Sequence, residues 1–368
     1  GKGFIILILH QDGQQHPYGS FILPTALQTF LNKRVVMKNH YIIIIGSLLF
    51  LAPLTLRCMP KNLLTERKGN DNNSSRYIKT TINLADPTIF EDHGTYYLYG
   101  TSSDDGFLVY CSTDLSKWIG PIGANAGGFC LSKGDSFGTK GFWAPQVFKY
   151  RGKYYMAYVA NEQLAIATAD SPKGPFKQST LSHIPAQTKE IDPFIFFDDD
   201  GKIYMFHDRL INGNHIYVAE MDSDLNVLKE GTAKECISIS ESWENTEKTS
   251  WPVIEGPTVF KSNGIYYLFY SANDFRCKDY AVGFATAPSP YGPWTKHKDS
   301  IINWRNIGQY GTGHGDIVRD NKGNWLYVFH THNSITTVNP RKTAIVQLQK
   351  KGNDFQIIKG TFRYLIAN

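Results

Sequence analysis

The chain has 368 residues, 42% of them hydrophobic and 14% aromatic, with 21 Tyr, 22 Phe and 7 Trp. This composition excludes a disordered chain and favours β-structure and stacking surfaces for flat ligands. A net charge of +5 without long Lys/Arg runs argues against nucleic acid as a partner, and the lack of a P-loop or of GxGxxG after a strand argues against a nucleotide site.

In chain order, residues 1–36 read as an upstream extension without structural role, with Met37 the expected start. "MKNHYIIIIGSLLFLAPLTLRC", residues 37–58, has a short basic opening, an apolar run from Tyr41 to Leu56 and a terminal Cys58. That is the pattern of a secretory signal, too short for a comfortable membrane span. Cys58 is similar to the lipidated cysteine of a bacterial lipoprotein box: Leu54 and Leu56 suit that box and Arg57 does not. Residues 59–78 are polar and turn-rich, a tether. Among the other cysteines, Cys111 in "FLVYCS" reads as a buried thiol. An exported chain could also pair Cys111, Cys130, Cys236 and Cys277, although their spacing suggests neither disulfides nor zinc.

Residues 79–368 form one domain that repeats itself. "ADPTIFEDHGTYYLYGTS", "WAPQVFKYRGKYYMAYVA", "IDPFIFFDDDGKIYMFHDR", "EGPTVFKSNGIYYLFYSAN" and "GHGDIVRDNKGNWLYVFHTH" each hold a strand, a polar turn with Gly and a second aromatic strand. A third strand follows every pair. Aligned on Pro87, Pro145, Pro193, Pro257 and Asp316, the units recur at intervals of roughly 50 to 65 residues, without long helical periodicity between them. Four-stranded units at this interval predict an all-β fold, a five-bladed β-propeller, over a competing β-sandwich that would not need five matching hairpins.

In a propeller the innermost strand of every blade begins near the axis, so the first residues of all five units converge. Three of them carry a carboxylate there: Asp86, Asp192 and Glu255. The second unit has Trp143-Ala144 and the fifth His314-Gly315. One Asp in a loop is ordinarily a solvated turn former. Three acids at matching positions of separate blades point to acid–base chemistry.

At these residues the chain resembles glycoside hydrolase family 43, on "ADP" 85–87, "WAP" 143–145, "IDP" 191–193, "EGP" 255–257 and "GHG" 313–315, over roughly residues 80–360. It lacks the Asn-Asp-Pro-Asn, Arg-Asp-Pro and Glu-Cys marks of the related fructan-cleaving propellers. The resemblance implies a propeller that hydrolyses arabinose- or xylose-containing polysaccharide with inversion. It makes Asp86 the general base, Glu255 the general acid and Asp192 the carboxylate that orients the acid and raises its pKa. Inversion requires acid and base on opposite sides of the sugar with space for water. A like charge beside Glu255 would keep it protonated near neutral pH.

Trp143 is expected to stack on a sugar face, and Arg341 in "NPRKTAIVQL" to face the sugar. Phe107 is expected to wall the pocket. The resemblance also implies that His314 helps hold a metal, a calcium ion with water in the central channel; no other cofactor is expected. Expected activities are an exo-acting α-L-arabinofuranosidase or β-xylosidase, then an endo-arabinanase or galactose-directed enzyme, and, from another class, a noncatalytic glycan-binding propeller. Many xyloside-cutting members carry a C-terminal β-sandwich; this sequence ends at Asn368, which tilts the expectation toward arabinose. The expected setting is a monomer in the periplasm or outer membrane of a Gram-negative bacterium, touching membrane only through an anchor at Cys58.

Overall fold

The computed structural model describes residues 79–368. The expected extension, export signal, Cys58 and tether lie outside the described residues. Within them, five antiparallel sheets carry the fold, and helix is confined to one short turn, Trp304–Ile307, and a 3-10 turn at Ala126–Gly128.

Blade one runs Ala85–Asp92, Thr95–Thr101 and Tyr110–Ser112, and blade two Trp143–Tyr150, Lys153–Ala160 and Gln163–Ala169. Their outermost positions are reduced to single bridges, Cys111 to Ile119 and Thr168 to Lys177. Blade three has four strands, Glu190–Phe197, Ile203–Leu210, Asn214–Met221 and Lys234–Ile237. Blade four has Ile254–Ser262, Ile265–Ala272, Ala281–Ala287 and Thr295–Lys296. Blade five runs Gly313–Arg319, Trp325–Thr331, Lys342–Lys351 and Asp354–Ile357, with Arg363–Tyr364 added to its third strand. Thr80–Thr81 pairs with Ile366–Ala367, so the two ends of the described chain close the ring together.

Both faces of each blade are apolar because both meet a neighbour. Five separate cores fill the five gaps. Tyr99, Phe107 and Tyr158 pack between blades one and two, and Phe148, Leu164 and Met205 between two and three. Phe206, Val218 and Leu268 join three to four, Phe269, Phe284 and Phe329 join four to five, and Leu98, Val328 and Ile345 join five to one. At about 25 cal/mol per Å² of apolar surface, these gaps are the main stabilising term.

The innermost strands share a bulge. Pairing with the second strand breaks between Ala85 and Thr88, Trp143 and Gln146, Ile191 and Phe194, Glu255 and Thr258, and Gly313 and Gly315. Inside the bulge one residue per blade takes positive φ: Asp86 (47°), Ala144 (42°), Asp192 (56°), Gly256 (66°) and His314 (42°). Such backbone costs on the order of 1–3 kcal/mol at a residue with a side chain, and bulges re-aim side chains. At Gly256 a Cβ would also stand 3.0 Å from the His314 ring, so glycine is needed on two counts.

This register corrects two alignments. The counterpart of the four prolines in blade five is Gly315; Asp316 lies one layer further along the axis, where it accepts from Thr88 Oγ1 at 2.6 Å. Glu255 stands one residue ahead of the position shared by Asp86 and Asp192, in the place that Trp143 holds in blade two. The cysteine pairing is corrected as well. Cys130, Cys236 and Cys277 are free, whereas Cys111 is buried but disulfide-bonded, not a thiol.

Candidate active site

A pocket of about 200 Å³ opens where the bulges converge, lined by Asp86, Trp143, Ile191, Asp192, Glu255, Phe275, His314 and Arg341. Six of the seven residues singled out from the sequence therefore meet at one hollow. The exception is Phe107. Its ring is fully buried and packs edge-on against Phe142 and Tyr158, in the core between blades one and two. The aromatic wall is Phe275, from the loop after the second strand of blade four.

Asp86 is enclosed by donors and cations. Arg341 donates to its Oδ1 at 2.9 Å, Thr101 Oγ1 donates to Oδ2 at 2.7 Å, and His314 Nδ1 and His330 Nδ1 lie 3.5 and 3.3 Å from Oδ1. Burial pushes the carboxyl upward, but Arg341 first and then His314 outweigh it and hold Asp86 well below the usual carboxylate range. His330 itself is pushed down to about 3, by burial first and by Arg341 next, so it is neutral at ordinary pH. The Arg341 guanidinium is in turn held 4.5 Å over the Phe275 ring.

Glu255 has the opposite surroundings. Its carboxyl is pushed up to about 7 by burial and then by the Asp192 charge, with His314 and the Tyr280 hydroxyl pulling the other way. Tyr280 donates to Oε1 at 2.8 Å and Asn214 Nδ2 to Oε2 at 3.0 Å. Trp251 Nε1 donates to Asn214 Oδ1 at 2.9 Å, which fixes which way that amide faces.

His314 stands between the two halves. Its Nδ1 is 3.5 Å from Asp86 Oδ1 and 3.7 Å from Asp192 Oδ2. Burial disfavours the imidazolium, but Asp192, Asp86 and Glu255 together raise its pKa. Asp192, Asp208 and Glu255 each bring an oxygen within 4.8 Å of the others. The groups thus run in the order Asp86, His314, Asp192, Glu255, with the depressed and the raised carboxyl at the two ends.

A calcium ion takes about six to eight oxygen ligands, and a ligating histidine must be neutral. His314 Nδ1 faces two carboxylates, at 3.5 and 3.7 Å, so a metal could reach this ring only through Nε2.

The second strands supply a set of side chains that sequence reading missed. Opposite each bulge stand Thr101, Val159, Asp208, Ser271 and His330. A bulge frees a backbone N–H, and a buried N–H needs an acceptor. In four cases the acceptor is this residue of the preceding blade. Asp86 N donates to His330 Nδ1 (3.1 Å), Ala144 N to Thr101 Oγ1 (3.0 Å), Gly256 N to Asp208 Oδ2 (3.2 Å) and His314 N to Ser271 Oγ (2.7 Å). Val159 cannot accept. The floor of the site is stitched blade to blade by these contacts.

A five-bladed propeller with a depressed and a raised carboxyl at one sugar-sized hollow defines a glycoside hydrolase. Residues 80–355 match glycosyl hydrolases family 43, and the chain belongs to that family, whose members hydrolyse with inversion. An endo-1,4-beta-xylanase from Bacteroides thetaiotaomicron is 37% identical and superposes with a TM-score of 0.72 over 79% of this chain and 99% of that one. A beta-D-galactofuranosidase of Aspergillus niger is 25% identical over 304 residues, 76% of this chain and 83% of its own. A xylosidase/arabinosidase of Butyrivibrio fibrisolvens is 30% identical over 263 residues, 66% of this chain and 48% of its own.

Proposed function

We propose that the protein removes single furanosyl or pentosyl units from the ends of plant polysaccharide side chains, as an α-L-arabinofuranosidase or β-xylosidase. The observation that carries this reading is the size and lining of the hollow: about 200 Å³, walled by Trp143, Phe275 and Arg341, with both ends of the carboxyl row inside it. In this reading the ionised Asp86 takes a proton from water on one face of the sugar. The protonated Glu255 gives its own to the departing oxygen on the other. Asp192 keeps that proton on Glu255 by charge repulsion, and the Trp143 indole, 38% exposed, offers a face for stacking.

A β-D-galactofuranosyl unit is the second reading, favoured by the relative of that activity. Its five-membered ring matches α-L-arabinofuranose apart from an exocyclic hydroxymethyl extension. Calcium in the channel, export through residues 37–58, anchoring at Cys58 and a monomeric state are further parts of the proposal, carried by the sequence resemblance and composition alone. The deciding experiment is a panel of nitrophenyl α-L-arabinofuranoside, β-xyloside and β-galactofuranoside with linear arabinan, followed by proton NMR of the first-formed anomer. Release of one sugar type with inverted configuration is expected. Rapid fall of arabinan viscosity would establish endo action instead, and binding without turnover would leave a glycan-binding propeller.

A further inference from the structure

Asp208 is the one group at the floor of the site whose chemistry exceeds its structural task. Ser271 and Thr101, at the equivalent places of blades four and one, each satisfy the bulge N–H of the next blade with a hydroxyl. Asp208 does the same for Gly256, yet it brings a whole carboxyl group into a fully buried position. Its other oxygen, Oδ1, meets no N–H or O–H donor among the described residues. An ionised carboxylate with a bare buried oxygen is costly.

The neighbours make ionisation harder still. Asp192, from the innermost strand of the same blade, is in hydrogen-bond contact with Asp208, and Glu255 from blade four is within 4.8 Å. Two touching carboxyl groups need a proton between them. The charged groups next in reach, His314 and Asp86, act on Asp192. Gly256 N–H, the one backbone donor to the pair among the described residues, is shared between Asp192 Oδ2 at 3.1 Å and Asp208 Oδ2 at 3.2 Å.

We propose that Asp208 is a positioning residue for the acid half of the site: it stays protonated, donates its proton to Asp192, and so holds Asp192 as the single negative charge beside Glu255. Blade one shows the same device built from a different side chain. Thr101 accepts from Ala144 N and donates to the Asp86 carboxylate at 2.7 Å. Asp208 stands to Asp192 as Thr101 stands to Asp86. Without the donated bond, Asp192 competes with Glu255 for the proton that must leave with the sugar. Part of the enzyme then carries that proton on the wrong carboxyl.

This inference rests on Glu255 being the acid, and the test separates the two. Asp208→Asn and Asp208→Thr retain an acceptor for Gly256 and a donor for Asp192, whereas Asp208→Val, the residue blade two uses, retains neither. For each variant kcat/KM is measured on an unactivated oligosaccharide, which needs a proton on its leaving oxygen, and on the matching nitrophenyl glycoside, which scarcely does. The Asn and Thr variants are expected within about threefold of the parent on both substrates. The Val variant is expected to lose about tenfold or more on the oligosaccharide and clearly less on the nitrophenyl glycoside, the order of effect of partial loss of general-acid catalysis. Equal losses on both substrates for Val, or losses in Asn and Thr as large as in Val, overturn the proposal. Glu255→Gln is run alongside: if it fails to discriminate between the substrates, the acid assignment falls first.

Discussion

The two ends of the carboxyl row differ in everything except burial. Asp86 and Glu255 both lose water on folding, and for both desolvation is the largest influence and acts upward. Their partners decide the outcome. Asp86 faces Arg341, His314, a neutral His330 and a threonine hydroxyl, and it is held ionised far below neutral pH. Glu255 faces Asp192, with Asp208 behind it, and receives only neutral donors from Tyr280 and Asn214; it keeps its proton to about 7. A single fold therefore holds one carboxyl ionised and another protonated at one pH by choosing which neighbouring blade supplies cations and which supplies carboxylates.

The sharpest way to break this comparison is to remove the base. Asp86→Ala is expected to lower kcat/KM by about a thousandfold on every substrate, activated or not, because water activation does not depend on the leaving group. Steady-state kinetics on the nitrophenyl and natural substrates check this, and a loss confined to one of them would place Asp86 outside the base role. Glu255→Gln should divide the substrates instead. About a hundredfold or greater loss is expected on oligosaccharide, with a much smaller loss on nitrophenyl glycoside. The sign of its pH behaviour follows from the raised pKa. With Glu255 as the proposed acid, kcat/KM should fall as pH rises through about 7, and no acid limb from Asp86 should appear in the ordinary working range.

The propeller and the innermost ring were legible because the information is local. A short entry before a hairpin is written within one stretch and recurs five times, with proline after the entry residue in four units and Gly315 in the fifth. Even with its one-residue misplacement against Asp86 and Asp192, Glu255 lines the same hollow as they do. The supporting ring was not legible, because Thr101, Asp208, Ser271 and His330 come together only through strand pairing across a bulge, and then by contact with the next blade. Asp208 between His207 and Arg209 reads as the solvated end of a strand, although it is fully buried. Phe107 misled for a related reason: an aromatic beside the polar "DDG" looks like a pocket lip, but its strand turns it into the gap between blades. A polar residue near the end of four of the five aromatic second strands was the available signal, and it carries meaning only once the register is known.

The smallest expected effect tests the acid end from the opposite direction. The Tyr280 hydroxyl donates to Glu255 Oε1, a bond that favours the ionised carboxylate and so works against burial and Asp192. Tyr280→Phe removes that bond while leaving a ring to stack on His330, where the centroids are 5.6 Å apart and the planes 16° off parallel. Glu255 should then hold its proton to higher pH, and the alkaline limb of kcat/KM should move upward by up to about one pH unit, with only a few-fold change at the optimum. Asp192→Asn, which deletes the repelling charge, should move the same limb downward. Opposite displacements by two neighbours of one carboxyl are what a balance of charge repulsion against hydrogen bonding requires; a limb that moves the same way in both variants would mean that Glu255 is not the group whose ionisation ends activity.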